Sequence, residues 1–222
     1  MADSSPPKDA SRGAPHARPR VRLRPEVRQQ QILDAALVEF SAVGFEGATM
    51  DKIAQRTGLT KAGLYAHFES KEQILEALLV SNIFNPSSRP HWQWIEGVTL
   101  EETIDQYLDN VYRVIQDPRM QATFRLLITE SGRAPERIHR WSKEIFRPYS
   151  AQRQRELDEC VANGLLPDNA LSRKFSLASA PALQAMFSYW LLGAAEAEQE
   201  VAEIRAAHRE MLLKMLSRES AP

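Results

Sequence analysis

The sequence predicts an all-α protein: an N-terminal three-helix unit built around a helix-turn-helix, followed by a larger α-helical bundle. Three observations carry this. From about residue 25 onward, apolar residues recur at three- and four-residue spacing. No β-alternation or hairpin signal interrupts that pattern. The separators between the later periodic segments contain Gly or Pro, at Asp117-Pro118, Ser131-Gly132, Gly164 to Pro167 and Gly193. At 222 residues and 43% apolar content, the chain can bury a real core as one large or two small domains.

Residues 1–24 are rich in Pro, Ala, Ser and Arg with almost nothing to bury, which predicts a disordered basic arm. Arg18, Arg20, Arg22 and Arg24 alternate just ahead of the first helix. Such an arm either reaches phosphates or a minor groove, or is a solvated tail without a role. Pro25 suits a first helical position and Glu26 suits the positive end of a helix dipole. Ile32, Leu33, Ala35, Ala36, Phe40 and Val43 then form the inner stripe of helix 1. Gly44 is expected to end it in the left-handed conformation, with Phe45 folded back over the last turn.

The stretch from Phe45 to Lys71 organises the N-terminal unit. Thr49 is placed to cap a short helix, Ile53 and Ala54 face inward, and Gly58 tolerates the positive φ of a tight reversal. Thr60 caps a second helix, from Lys61 to about Phe68, so the helix-turn-helix spans about 48–67. Eight residues at about 1.5 Å each give a rod of about 12 Å, comparable with the width of a DNA major groove. Leu59, Leu64 and Phe68 turn inward, leaving Lys61, Ala62, Gly63, Tyr65 and His67 nearer the outside. For His67 the competing assignment is a partly buried ring bonded to a backbone carbonyl. Ser70-Lys71-Glu72-Gln73 reads as a capping box opening a helix to about Ile83, with Ile74, Leu75, Leu78 and Leu79 on its apolar side. Asn85-Pro86 to Pro90 breaks the pattern, which divides the chain into a domain at 25–85 and another at 86–222.

Arg28-Gln29-Gln30-Gln31-Ile32-Leu33-Asp34-Ala35-Ala36, Phe40, Gly44, Thr49, Ile53-Ala54, Gly58, Leu64-Tyr65-Ala66-His67-Phe68 and Ser70-Lys71-Glu72 fall in one register. In that register the N-terminal quarter of the chain resembles the TetR family of transcriptional regulators. Thr57 and Ala62 stand where the family more often has alanine and glycine. The resemblance implies that Thr49, Tyr65, His67 and Lys71 anchor the DNA backbone while Thr60, Lys61, Ala62 and Gly63 face base edges. Lys61 would donate to guanine O6 or N7, Ala62 would touch a thymine methyl, and Gly63 would allow close backbone approach.

Beyond the boundary, helices are expected near 101–116, 119–131, 134–163, 168–192 and 196–217. Arg125-Leu126-Leu127-Ile128-Thr129-Glu130-Ser131 followed by Pro135-Glu136 is similar to a recurrent C-terminal pattern of the same family. The last two helices carry stripes of Leu183, Met186, Phe187, Trp190 and Leu191, and of Val201, Ile204, His208, Met211, Leu212 and Met215. Part of each is ordinary core. A two-fold four-helix interface using Leu183, Met186, Trp190, Ile204, His208, Met211 and Met215 would bury the remainder and give a homodimer with two reading heads. The aromatics Trp92, Trp94, Phe124, Trp141, Phe146, Tyr149, Tyr189 and Trp190 either fill a bundle or line an organic-ligand pocket. By family resemblance the pocket candidates are Phe124, Leu127, Trp141 and Phe187.

Enzyme chemistry finds no support. There is no Gly-x-Ser-x-Gly elbow, phosphate loop or His-Glu-x-x-His, no catalytic residue is assigned, and neither a cofactor nor a metal is expected. Glu130 and His139 are the one weak acid-base or metal pairing. Cys160 is the lone cysteine, which excludes an internal disulfide and fits a reducing cytoplasm; an inert packed thiol is the simpler assignment against redox sensing. No apolar run approaches the ~20 residues of a membrane span, and no signal-peptide core is present, so a soluble cytoplasmic protein with no membrane partner is expected.

The net charge of −1 conceals an asymmetry. Residues 1–71 hold 11 Lys or Arg against 8 Asp or Glu, while residues 72–222 hold 17 against 21. The nucleic-acid end is therefore the N-terminal end. Together with the resemblance, these observations imply a homodimeric, sequence-specific DNA-binding regulator. It would be a repressor of a pseudo-palindromic double-stranded operator, released by a small apolar or amphipathic effector. The alternative from another class is a chromosome-organising or interaction protein that uses the same head without a ligand.

Overall fold

The computed structural model describes residues 24–83 and 97–217, and every described element is helical. The basic arm with Arg18, Arg20 and Arg22, the Asn85–Pro90 break, and Trp92 and Trp94 lie outside the described residues.

The first helix, α1 (Pro25–Gly47), has Pro25 in its first turn and buries Ile32, Leu33, Ala36, Leu37 and Phe40. Gly44 interrupts it with φ 75° and ψ 169°. The positive φ is as expected, but ψ is extended rather than left-handed helical. The chain therefore kinks, continues to Gly47, and tucks Phe45 inward with its ring 5.3 Å from that of Phe40. The next two helices, α2 (Met50–Thr57) and α3 (Lys61–Tyr65), are joined by Gly58. The expected extension of the second helix to Phe68 is corrected here: it stops at Tyr65. His67 and Phe68 N–H groups both return to the Leu64 carbonyl, closing the helix while Phe68 still reaches the core.

Helix α4 (Lys71–Ile83) turns Ile74, Leu75, Leu78 and Leu79 inward. Its start varies the expected box: Ser70 Oγ accepts the Gln73 N–H, but Gln73 Oε1 accepts from Glu69 instead of Ser70. Helix α5 (Leu100–Gln116) begins with a complete Thr99/Glu102 capping box. Helix α6 (Pro118–Arg133) runs straight through the expected break at Ser131-Gly132.

The expected long helix at 134–163 is continuous but not uniform. It comprises α7 (Pro135–Trp141), a π-helical turn Ser142–Phe146 and α8 (Arg147–Ala162). Pro148 explains the wide turn: a proline inside a helix cannot donate to the preceding turn and crowds the carbonyl there. The expected helix at 168–192 is corrected more strongly. Asn169 Oδ1 accepts the N–H groups of Leu171 and Ser172, which holds this stretch as a side-chain-capped turn. A 3-10 segment, Phe175–Ser179, follows, and only then α9 (Ala180–Leu191), with Pro in its first turn. Helix α10 (Ala194–Leu216) starts after Gly193.

Two cores result. One gathers α1 to α4 around Ile32, Phe40, Phe45, Ile53, Leu64, Ile74 and Leu78, and recruits Leu126 from α6 and Trp141 from α7. The other packs α5, α9 and α10 through Ile104, Leu108, Val111, Met186, Val201 and Leu212. Helix α6 serves both, because Phe124 packs on the second core while Leu126 and Leu127 face the first. Cys160 is half-buried in the second core, where burial raises its thiol pKa and Glu159 and Glu156 add to the effect. Among the described residues, no helix is long and apolar enough to cross a membrane.

Candidate nucleic-acid interface

The helix-turn-helix is assembled by its caps. Thr49 Oγ1 accepts the Lys52 N–H at 3.3 Å to start α2. Gly58, at φ 66° and ψ 20°, ends that helix in the left-handed region, and the Leu59 N–H returns to the Ala54 carbonyl at 3.0 Å. Thr60 Oγ1 accepts the Gly63 N–H at 3.1 Å to start α3. Gly63 has a packing reason for lacking a side chain: a Cβ there would lie 3.2 Å from the capping hydroxyl of Thr60.

Around this frame the predicted residues separate. Lys61, Ala62 and Tyr65 are exposed, Gly63 and His67 are half-buried, and Leu64 is fully buried beneath them. The Lys61 ammonium pairs with Asp51 Oδ2 at 3.1 Å, which brings the start of α3 beside the start of α2. Thr49, Thr60 and Lys61 thus share one end of the motif. Both partners are more than half exposed, so the pair adds little stability and can be exchanged for another polar partner. Below the motif, Arg56 donates to the buried Glu39 at 2.7 Å and ties α2 to α1.

Lys71 behaves differently from the other anchor candidates. Its ammonium donates to the carbonyl of Phe45 at 2.9 Å and of Glu46 at 3.4 Å, and sits 4.7 Å from the Phe45 ring centroid. Much of its donor capacity is directed into the α1–α2 corner. Glu130 was legible only as a remote partner for His139. The structure instead buries Glu130 and pairs it with Arg137 at 2.9 Å, while His139 is exposed. The recurrent motif around Arg125 to Glu136 marked this place, but nothing in one sequence showed that its carboxylate faces the N-terminal unit.

In the C-terminal half, the four pocket candidates do not converge. Trp141 belongs to the first core with Leu127 against it, Phe124 packs on the second core, and Phe187 is 40% exposed. Two proposed interface residues are likewise interior. Met186 and His208 are each 1% exposed within one chain. His208 is held there because its Nε2 bonds the Ala178 carbonyl at 2.7 Å while its Nδ1 meets the Tyr112 hydroxyl at 3.3 Å. Trp190 ties α9 to α6, donating to Gln121 at 3.3 Å with Arg125 over its ring. Ile204, Met211 and Met215 are half-buried against the second core, whereas Leu183, Phe187 and Leu191 are exposed.

Residues 32–78 match the bacterial regulatory proteins of the tetR family, and residues 102–174 match the AefR-like transcriptional repressor C-terminal domain. The HTH-type transcriptional regulator SrpR of Pseudomonas putida is 45% identical over 56 residues, which are 25% of this chain and 26% of that protein. The negative regulator IcaR of the biofilm operon icaADBC in Staphylococcus aureus is 44% identical over 48 residues, 22% of this chain and 26% of IcaR. The chain thus aligns with only about a quarter of the length of these relatives.

Among solved structures, Salmonella enterica GusR superposes with a TM-score of 0.62 at 21% identity, covering 87% of this chain and 97% of GusR. A TetR-family regulator from Pseudomonas syringae superposes at 0.61 with 24% identity, covering 84% and 95%. These two share the fold. With residues 32–78 and 102–174 matched in order, the chain belongs to the TetR family of transcriptional regulators.

Proposed function

We propose that this protein is a homodimeric, sequence-specific DNA-binding repressor released from its operator by a small organic effector. The observation that carries the DNA-binding part is the capped α2–Gly58–α3 unit, which presents Lys61, Ala62 and Tyr65 to solvent over a buried Leu64. Lys61 and Ala62 would face base edges, with Thr60 and Gly63 beside them. Thr49, Tyr65 and His67 would hold the backbone, and Lys71 would reach a phosphate only by giving up part of its hold on the α1–α2 corner. Repression is supported by the C-terminal match to AefR-like repressors and by the relative described as a negative regulator.

Dimerisation is supported by α9, where Leu183, Phe187 and Leu191 recur at four-residue spacing and are 38%, 40% and 79% exposed. Pairing this stripe across a two-fold axis would remove it from water and give two heads, which must sit roughly 34 Å apart to enter successive major grooves. Release is supported by α4, which follows the reading helix after a short turn and packs on α6 through its apolar side. A ligand that tilts α4 moves the head.

Selection from a random duplex library with the full chain, followed by fluorescence anisotropy on the enriched site, tests this. Lys61→Ala should reduce the ratio of specific to random binding, and the lost discrimination should map to one base pair, worth about 1–3 kcal/mol. Failure of the wild-type protein to enrich any sequence would overturn the reading.

A further inference from the structure

The corner where α1 becomes α2 is held from outside the N-terminal unit. Glu130, on α6, is 1% exposed. Its Oε1 accepts the Phe45 backbone N–H at 3.4 Å, and its Oε2 accepts Arg137 Nη1 at 2.9 Å. Arg137, on α7, reaches further: Nη2 donates to Glu46 Oε1 at 2.6 Å, and the guanidinium carbon lies 3.9 Å from the Phe45 ring centroid. That contact, chiefly through the Arg137 hydrogen bond, holds the Glu46 carboxyl below its usual range. From α4, Lys71 takes the carbonyls of Phe45 and Glu46. One residue, Phe45, therefore has its N–H, its carbonyl and its ring engaged by side chains of three different helices.

Elsewhere the contact between head and bundle is largely apolar, joined by a hydrogen bond from Asn82 to Thr123 at 2.8 Å and by the partly exposed ion pairs Arg119–Asp34 and Arg140–Glu76. Leu75, Leu78, Leu79 and Leu126 exclude water but impose no fixed direction. A carboxylate bonded to a backbone N–H, and a planar guanidinium forked between two carboxylates, do impose one. Burying such a pair returns little net stability, so its effect falls mainly on geometry. We propose that Glu130 and Arg137 are positioning residues that fix the angle of the DNA head on the bundle, and with it the half-site separation the dimer accepts. This route runs from α6 and α7 straight to the α1–α2 corner and does not pass through α4. It rests on the reading of the protein as a DNA-binding dimer.

The test uses full-length wild type, Glu130→Gln and Arg137→Lys, each taken through selection from a random duplex library. Glu130→Gln keeps the shape and an acceptor for Phe45 but loses the charged pair. Arg137→Lys keeps the cation but cannot span Glu130 and Glu46 as a fork. Leu108→Ala, which cuts into the second core away from the corner, serves as a control for general destabilisation. Wild type should return paired half-sites at one separation. Both variants should return the same half-site sequence spread over neighbouring separations, with affinity for the wild-type spacing reduced about 5- to 150-fold. Leu108→Ala should lower thermal stability and leave the spacing single. An unchanged single spacing in both corner variants, or a spread in the Leu108 control equal to theirs, would overturn the proposal. Enrichment of no site by wild type would instead remove the DNA-binding reading beneath it.

Discussion

Gly44 and Gly58 both have positive φ, yet replacing each with alanine should have different consequences. At Gly58 (φ 66°, ψ 20°) an added Cβ meets nothing within 4 Å, so only the backbone term operates. A left-handed helical alanine costs about 1–2 kcal/mol, and the stiffer unfolded chain returns about 0.4–1 kcal/mol. The net loss for Gly58→Ala is then about 1 kcal/mol by those two principles. Gly44 (φ 75°, ψ 169°) occupies a region open almost solely to glycine, worth about 1–3 kcal/mol. Its added Cβ would also fall 2.6 Å from Arg133 Nη1, the mobile end of a long side chain that can swing aside. Gly44→Ala should therefore lose about 1.3 kcal/mol.

At about 2–4 °C per kcal/mol for a chain of this size, the falls in Tm should be about 2–4 °C for Gly58→Ala and about 3–5 °C for Gly44→Ala. Differential scanning calorimetry measures both, and an Arg133→Ala background separates clash from strain. Recovery of most of the Gly44→Ala loss in that background, or a larger loss at Gly58, would refute the assignment of the cost to backbone conformation.

Two further outcomes are expected. Arg137→Ala strands the buried carboxylate of Glu130 and should cost about 3–5 kcal/mol in urea unfolding, whereas the double change Glu130→Leu with Arg137→Met should regain most of it. A single-variant loss below about 1 kcal/mol would show that the pair is not desolvated as described. Burial lowers the pKa of His208 from the ordinary 6.5, partly offset by its bond to the Ala178 carbonyl. Tyr112 faces it with its own pKa pushed up to about 12, Tyr107 packs edge-on, and Arg205 lies beyond Tyr112. The unfolded chain binds the His208 proton more readily than the folded one, so this contribution is complete above pH 6.5 and declines as pH falls below it. In His208→Gln that slope should disappear, and an unchanged slope would assign it elsewhere.

How much was legible depended on whether a residue's role is local. Thr49, Gly58 and Thr60 act within four residues of themselves, so their chemistry could be read directly, as could the inward face of α4 and, apart from Val43, which is 52% exposed, that of α1. Gly44 was half legible: its need for positive φ was visible, but its ψ is set by the tertiary socket that receives Phe45. Asn169 was missed because a side chain that captures two amides can override apolar periodicity, and periodicity alone suggested one long helix. The burial of Met186 and His208 within one chain was hidden for a similar reason. A stripe at three- and four-residue spacing shows which residues leave water, but not whether they do so against their own chain or a second copy. Glu130 and Arg137 lie 85 and 92 positions from Phe45, and one sequence carries no signal linking them.

Helix α6 contributes Leu126 to one core and Phe124 to the other, and its end supplies the carboxylate that holds Phe45. The boundary drawn at residue 85 is therefore not a joint at which parts can be exchanged. A chimaera that grafts this head onto a relative's bundle, cutting between α4 and α5, would place Phe45 against a foreign α6. Its neighbours there would be chosen for another corner. The head of this chain should interchange with a relative's only when the α6–α7 elbow travels with it, because the seam at Glu130 and Arg137 lies 45 and 52 residues past the boundary at 85.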